Sequence, residues 1–320
     1  MDQRTTLSLA EPRSGFRHEA LFYADGEELI AGTASFVRDG LEADEPTLVV
    51  LQERKIDALR SELADDGDRV FFADMDDVGA NPARIIPAWR EFVDRYSSTG
   101  LGVRGIGEPI YAERSTAELV ECQRHESLLN LAFADTPGFY LLCPYDTRTL
   151  EVAALEEAQR SHPFLTADGR ESESAEYRGL EEVTAPFSDP LPEPPARREW
   201  RVFQRLTLAA LRQWVAGHAA RAGFSPKRTE EIVLAVHEVA MNSVVHGGGG
   251  GICRIWTEDD TLVCEVDDKG LLGSPLAGRE RPAPGQREGY GLWLANQLCD
   301  LVQIHTFATG SAVRLHMRRG

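Results

Sequence analysis

Between residues 183 and 196 the chain reads Val-Thr-Ala-Pro-Phe-Ser-Asp-Pro-Leu-Pro-Glu-Pro-Pro-Ala, five prolines in fourteen residues. Proline gives up its backbone donor and fixes φ, so neither a helix interior nor a central strand can run through such a stretch. It reads as a linker, semi-rigid where Pro194-Pro195 favour polyproline II. Residues 167–182, just upstream, are rich in Ser, Glu and Gly and read as loosely ordered. A 320-residue chain interrupted here is long enough for two domains, each with its own core. The expected division is a first domain over 16–165, a linker over 166–199 and a second domain over 200–320.

Charge divides at the same place. Residues 1–195 hold 39 acidic and 18 basic side chains, net −21, and residues 196–320 hold 13 and 16, net +3. The acidic half argues against direct DNA binding, and the near-neutral half suits a domain that handles a polyanionic nucleotide. No run of 18 apolar residues occurs and no apolar segment follows the first charges, so neither a membrane span nor a secretory leader is expected. Five cysteines, an odd number without a Cys-x-x-Cys pair, fit a reducing cytoplasm better than a disulfide framework.

The two halves also differ in pattern. In the first, short apolar runs at 20–23, 47–51, 69–73, 103–107 and 139–143 alternate with helical stretches near 27–39, 53–64, 82–97, 115–133 and 149–160. That order predicts a parallel sheet with helices on both faces. The second half predicts helices at 200–222 and 226–246, strands at 252–257 and 261–267, a Pro/Gly-rich loop, a helix at 290–299, and strands at 301–307 and 311–317. Ser225-Pro226 supplies an N-cap followed by proline at the first helical position. Helices on one face of a mixed sheet make an α/β sandwich.

Three short motifs fall in order along that second half. Glu238 and Asn242 lie four apart on a helix and share a face, while Val236, Val239, Ala240 and Val244 supply core-facing positions. An amide oxygen can coordinate Mg²⁺ while its NH₂ meets a phosphate, and a neighbouring carboxylate can orient or deprotonate a hydroxyl. Asp268-Lys269-Gly270 follows an apolar strand; alone it would read as a hairpin turn, with Asp267 a rival to Asp268. Gly289-Tyr290-Gly291-Leu292 opens a helix whose free N–H groups favour an anion. Between the last two lie eighteen residues, 271–288, with three Gly, three Pro and three Arg. They suit a lid, in which Arg279, Arg281 or Arg287 could meet phosphates.

Taken together, the motifs resemble the ATP site of the GHKL superfamily, and the second half resembles its Bergerat α/β sandwich. The resemblance implies that Asn242 holds Mg²⁺, that Glu238 acts as general base, and that Asp268 accepts from the adenine amino group beside Gly270. Gly289, Gly291 and Leu292 would lie at the phosphates, and Ser311, where many relatives have threonine, would keep a hydroxyl at the adenine edge. One departure is Leu272, which stands where the family pattern places a second glycine.

Within that superfamily, residues 200–320 are similar to the anti-sigma-factor serine kinases of the RsbW/SpoIIAB type. The similarity implies two partners, a sigma factor and a STAS-domain anti-anti-sigma protein phosphorylated on serine with ATP and Mg²⁺. Relatives of the kinase domain pair as homodimers, a surface the acidic first domain could cover. A non-catalytic, nucleotide-binding adaptor is the alternative. A sensor histidine kinase would need a helical hairpin carrying the phosphoacceptor, whereas His218 falls on a single helix.

The first domain resembles MEDS sensory domains through His18-Glu19-Ala20-Leu21-Phe22-Tyr23, Gly107-Glu108-Pro109 and Leu142-Cys143-Pro144-Tyr145-Asp146. The implied fold is a degenerate RecA-like parallel sheet, and no Gly-x₄-Gly-Lys-Ser/Thr loop is present to cradle a triphosphate. MEDS followed by an anti-sigma kinase domain is the layout of RsbA-type regulators. A small-molecule effector of the N-terminal domain is expected, with Tyr23, Glu108 and Tyr145 as pocket candidates. His18, His125, Cys143 and His162 are scattered candidates for a metal or effector, without ligand spacing.

Overall fold

The computed structural model describes residues 15–184, 187, 189–283, 285 and 289–320. The first half forms β1 (Arg17–Tyr23), α1 (Gly26–Glu42), β2 (Thr47–Leu51), α2 (Glu53–Leu63), β3 (Phe71–Asp74), α3 (Met75–Val78), α4 (Ile85–Tyr96), β4 (Val103–Gly107), α5 (Thr116–Ala132), β5 (Phe139–Asp146), α6 (Val152–Ser161), β6 (Phe164–Ala167) and β7 (Arg170–Glu173). Seven strands stand in the order β3-β2-β4-β5-β1-β6-β7, parallel throughout except for the final β6–β7 pair. Ala20, Leu141, Cys143 and Tyr145 face one core with α4, α5 and α6, while Leu21, Tyr140 and Leu142 face a second with α1 and α2. Burial on both faces is what the short, unbroken apolar runs require. Asp25 caps α1 by accepting from the Glu27 and Glu28 amides, and Ser115 and Glu118 close a capping box on α5.

The β6–β7 hairpin departs from the expected linker, because the first sheet continues to Glu173 rather than stopping at 165. Phe164–Ala167 adds in parallel to the open edge of β1. Asp168 and Gly169 then turn the chain with φ of 50° and 69°, a two-residue loop of the Asp-Gly kind. The exposed, Glu-rich β7 disguises it in the sequence.

The second half forms β8 (Glu199–Gln204), α7 (Leu208–Arg221), α8 (Pro226–Val245), β9 (Gly250–Glu258), β10 (Thr261–Asp268), α9 (Tyr290–Leu298), β11 (Leu301–Phe307) and β12 (Gly310–Arg318). Strand order is β11-β12-β10-β9-β8, and every pairing is antiparallel, so the expected mixed sheet is corrected to an antiparallel one. The helix expected from 200 begins at Leu208; before it, Glu199–Gln204 alternates around the buried Phe203 and pairs with β9. All three helices pack on one face of the sheet through Val215, Ile232, Val236, Val239 and Ala295.

Polar contacts join the halves. Arg84 donates to the carbonyls of Asn296 (2.9 Å), Gln297 (2.9 Å) and Cys299 (3.0 Å), satisfying the open carbonyl end of α9. Arg124 of α5 donates to the Ile304 carbonyl at 2.9 Å, and Glu118 pairs with Arg318. Among the described residues no helix is long and apolar enough to cross a membrane.

Candidate nucleotide site

The site starts with a well-fixed helix. Ser225 Oγ accepts from the Arg228 amide at 3.2 Å and Pro226 occupies the first turn, which sets the register of α8. Val236, Val239 and Ala240 are buried against the sheet, leaving Glu238 and Asn242 half-buried on the side toward α9 and the lid segment. Gly291 lies against Asn242 so closely that an added Cβ would stand 2.9 Å from the amide nitrogen. Gly289, in the left-handed region at φ 90°, turns the chain into α9, and Leu292 is buried behind it.

One turn further along α8 lies the second group. The Asp268 carboxylate accepts from the Gly270 amide at 2.6 Å and stands 3.4 Å from Ser311 Oγ, its cross-strand partner on β12. Gly247, just past the C-terminus of α8, leaves the carboxylate uncovered: a Cβ there would lie 2.5 Å from Asp268 Cγ. Asp267 points to the other face of the sheet and pairs with Arg254, so the structure separates the two aspartates that the sequence left as rivals. Asn242, Gly289, Gly291 and Leu292 therefore gather at one end of a seam, and Asp268, Gly270 and Ser311 at the other. Gly247 and Asn296, which the motifs did not single out, complete it; Asn296 donates to the Gly278 carbonyl at 3.0 Å and fixes the lid segment.

Family models place this arrangement. A model for the histidine kinase-like ATPase domain matches residues 204–317, and one for the MEDS domain (methanogen/methylotroph, DcmR sensory domain) matches residues 17–163. The chain joins a MEDS sensory domain to a histidine kinase-like ATPase domain. That pairing is the RsbA-type layout expected from the sequence. Among solved structures, the RsbU and RsbW domains of Rv1364c from Mycobacterium tuberculosis are similar at 20% identity and a TM-score of 0.30, over 39% of this chain and 33% of that one. The Acinetobacter baumannii histidine kinase AdeS is similar at 9% identity and a TM-score of 0.21, over 38% of this chain and 68% of that one. This chain thus spans about a third of the first neighbour, and at these scores neither likeness bears on function. The curated proteins contain no match.

The lid of the ATPase domain is held from the MEDS side. Arg279, expected at the phosphates, is instead buried and paired with Glu121 of α5, and burial lowers its pKa. Arg281 stands 5.9 Å over the Trp293 ring, and Arg287 lies outside the described residues. Leu272, at the missing glycine, packs half-buried against the ATPase core. A cavity of about 300 Å³ lies under the lid between the domains, lined by Arg124, Leu128, Leu272, Arg279 and Ile304. His218 belongs to α7: its Nδ1 lies 2.9 Å from the Trp214 carbonyl, and the helix packs on α8 directly after β8.

In the MEDS domain the expected pocket residues part company. Tyr23 donates to Glu108 at 2.6 Å and Lys55 bonds the same carboxylate at 2.6 Å, whereas Tyr145 lies on the opposite face of the sheet, against Phe22 and His162. None of the three lines the domain's cavity of about 630 Å³, whose walls include Glu19, Leu21, Arg104, Tyr140 and Thr166. Of the scattered donors, His18, Cys143 and His162 meet and His125 does not join them; the fourth member is Glu126, which no sequence spacing indicated.

Proposed function

We propose that the protein is an ATP- and Mg²⁺-dependent protein-serine kinase that phosphorylates a STAS-type anti-anti-sigma partner and so sets the availability of a sigma factor. The observation that carries this reading is the seam along α8, with Asn242 against Gly291 at one end and Asp268 beside Gly247, Gly270 and Ser311 at the other. Five residues of helix, about 7 Å, separate the two groups.

The residues suit the ligand. Glycine at 247 leaves the Asp268 carboxylate free to accept from an adenine amino group, and the α9 N-terminus turns free N–H groups toward negative charge. Asn242 would present its amide oxygen to Mg²⁺, and ATP, when bound, supplies the phosphoryl group. Glu238, one turn before Asn242, would orient the partner's serine hydroxyl and take its proton. Helix α5 of the MEDS domain holds the lid through Glu121–Arg279, which gives the sensory domain a direct grip on access to the site.

A second reading has its own support. Leu272 fills the glycine position with core packing and Arg279 is withdrawn from the phosphates, which favours a nucleotide-binding adaptor. Labelled γ-phosphate transfer to a cognate STAS protein separates the two. We expect transfer by the wild type, a loss of at least about a hundredfold in Asn242→Ala, and a similar loss with ATP binding retained in Glu238→Gln. ATP binding without transfer to any partner, and partner control unchanged in Glu238→Gln, would establish the adaptor.

A further inference from the structure

Four side chains from four separate elements meet inside the MEDS domain. His18 comes from β1, Glu126 from α5, Cys143 from β5, and His162 is the residue that ends α6. All four are at most 1% exposed. His18 Nε2 lies 3.2 Å from Glu126 Oε2, His162 Nε2 lies 3.3 Å from the same oxygen, and Cys143 Sγ lies 3.4 Å from His18 Nε2. One donor atom from each residue lies within 4.8 Å of every other. A tetrahedral ion with bonds of about 2.0–2.3 Å sets its ligands about 3.3–3.8 Å apart, which is the spacing found here.

Hydrogen bonds around the cluster fix which ring nitrogens carry protons. Asn130 Nδ2 donates to the Ser127 and Ser161 carbonyls, leaving Oδ1 to accept, so His18 Nδ1 at 3.2 Å is a donor. His162 Nδ1 lies 2.8 Å from the Ala158 carbonyl and is likewise a donor. In the neutral rings both Nε2 atoms then carry lone pairs, and both face one carboxylate oxygen. A single proton would satisfy one His–Glu contact and leave the other lone pair against lone pair. Positive charge on both rings is opposed by their separation, 3.9 Å between centroids in a site without water-facing atoms. Within the described residues, His162 Nε2 and Glu126 Oε1 have no hydrogen-bond partner at all.

We infer that His18 Nε2, His162 Nε2, Cys143 Sγ and Glu126 Oε2 form a closed site for a divalent ion of the zinc class. Two imidazoles, a thiolate and a carboxylate are a borderline-soft set, and their two negative charges balance a dication. Asn130 and the Ala158 carbonyl hold the far nitrogens, as acceptors behind ligating histidines do. Binding displaces the Cys143 thiol proton to water and forms a metal–sulfur bond, with no change of oxidation state. Four protein ligands leave no open position, so the ion is structural. It pins Glu126 on α5, the helix whose Glu118, Glu121 and Arg124 clasp the ATPase domain.

The test uses the full chain without a polyhistidine tag. Elemental analysis of the purified protein should find about one zinc per chain, and the apo protein supplied with Co²⁺ should show tetrahedral ligand-field bands and a thiolate-to-cobalt charge-transfer band. Cys143→Ser, checked for unchanged helix content by circular dichroism, should lose the charge-transfer band, and Glu126→Gln should weaken Co²⁺ binding at least about tenfold. Asn242→Ala, at the nucleotide site, should leave both spectra unchanged. Failure to take up either Zn²⁺ or Co²⁺, weak octahedral absorption alone, or a charge-transfer band that survives in Cys143→Ser would each overturn the site. None of these readouts depends on kinase activity.

Discussion

The nucleotide site of the ATPase domain and the buried clusters that the MEDS domain contributes are built on different plans. At the nucleotide site, Glu238 and Asn242 share one helix, Asp268 and Gly270 end one strand, and Gly289 to Leu292 open the next helix. Its acidic and amide groups are half-buried and its glycines keep backbone open. The other clusters take single residues from distant elements and close them away from water, as in Glu121–Arg279 across the domain boundary. A site that must admit a nucleotide and a protein partner tolerates change at small cost in stability, whereas a buried charge is tied to the fold. Changes in the first region should therefore be read in binding, and changes in the second in stability.

The largest effect should fall on the clasp. Glu121 is 2% exposed and Arg279 5%, so Glu121→Ala leaves a buried guanidinium without its carboxylate, at a cost of about 3–5 kcal/mol. Urea unfolding should show that loss, and amide exchange should speed up over 271–283 as the lid is released. The double change Glu121→Leu with Arg279→Met should recover most of the stability while leaving exchange in the lid altered. A loss below about 1 kcal/mol for Glu121→Ala would place the pair among surface bridges and remove the contrast between the regions.

Next comes the nucleotide site itself. A methyl group on Gly247 would press on Asp268 Cγ from 2.5 Å, so Gly247→Ala should displace the carboxylate and lower affinity for an adenine nucleotide about ten- to a hundredfold. Calorimetric titration measures this, and thermal unfolding in the absence of nucleotide should change little. An unchanged affinity would mean that Asp268 does not meet the base.

The same difference in plan governs what the sequence disclosed. Motifs confined to one helix turn or one strand end, such as Glu238/Asn242 and Asp268/Gly270, are visible because local spacing fixes their geometry. Glu126 was invisible because nothing near it in sequence distinguishes it from other helix glutamates; only α5 packing across β1 and β5 brings it to His18 and Cys143. Arg279 was misplaced for a related reason. Its partner lies 158 residues away on another domain, and an arginine in a glycine- and proline-rich loop gives no sign of which carboxylate will claim it. The β6–β7 hairpin was legible in Asp168-Gly169, but the polar, exposed β7 looked like linker.

A pH effect follows from a buried ring outside both sites. His316, on β12, is packed beside Gln303, Arg314, Arg318 and Glu118, and burial, with Arg314 next, lowers its pKa from 6.5 to about 4. The unfolded chain therefore takes up a proton below pH 6.5 that the folded ring refuses until about pH 4, so the contribution is complete above 6.5 and is lost as pH falls. Between pH 7 and pH 5 this amounts to about 2 kcal/mol. His316→Gln should flatten the stability profile by that amount, measured by urea unfolding at several pH values, with nucleotide affinity unchanged at neutral pH. An unaltered slope would place the acid sensitivity elsewhere in the core.

The smallest expected effect bears on the one departure from the family motif. Leu272 lies half-buried against the ATPase core, so Leu272→Gly removes packing and adds backbone freedom, a loss of about 1–2 kcal/mol. Its side chain belongs to the packing of the lid base, and the Gly270 amide already meets Asp268 without a second glycine. Restoring glycine should therefore change nucleotide affinity less than about threefold, well under the effect of Gly247→Ala. Titrations of the two variants side by side make the comparison. If Leu272→Gly instead raised affinity tenfold or more, the leucine would be acting on the nucleotide site, and the open region would owe part of its behaviour to the same buried packing that governs the clasp.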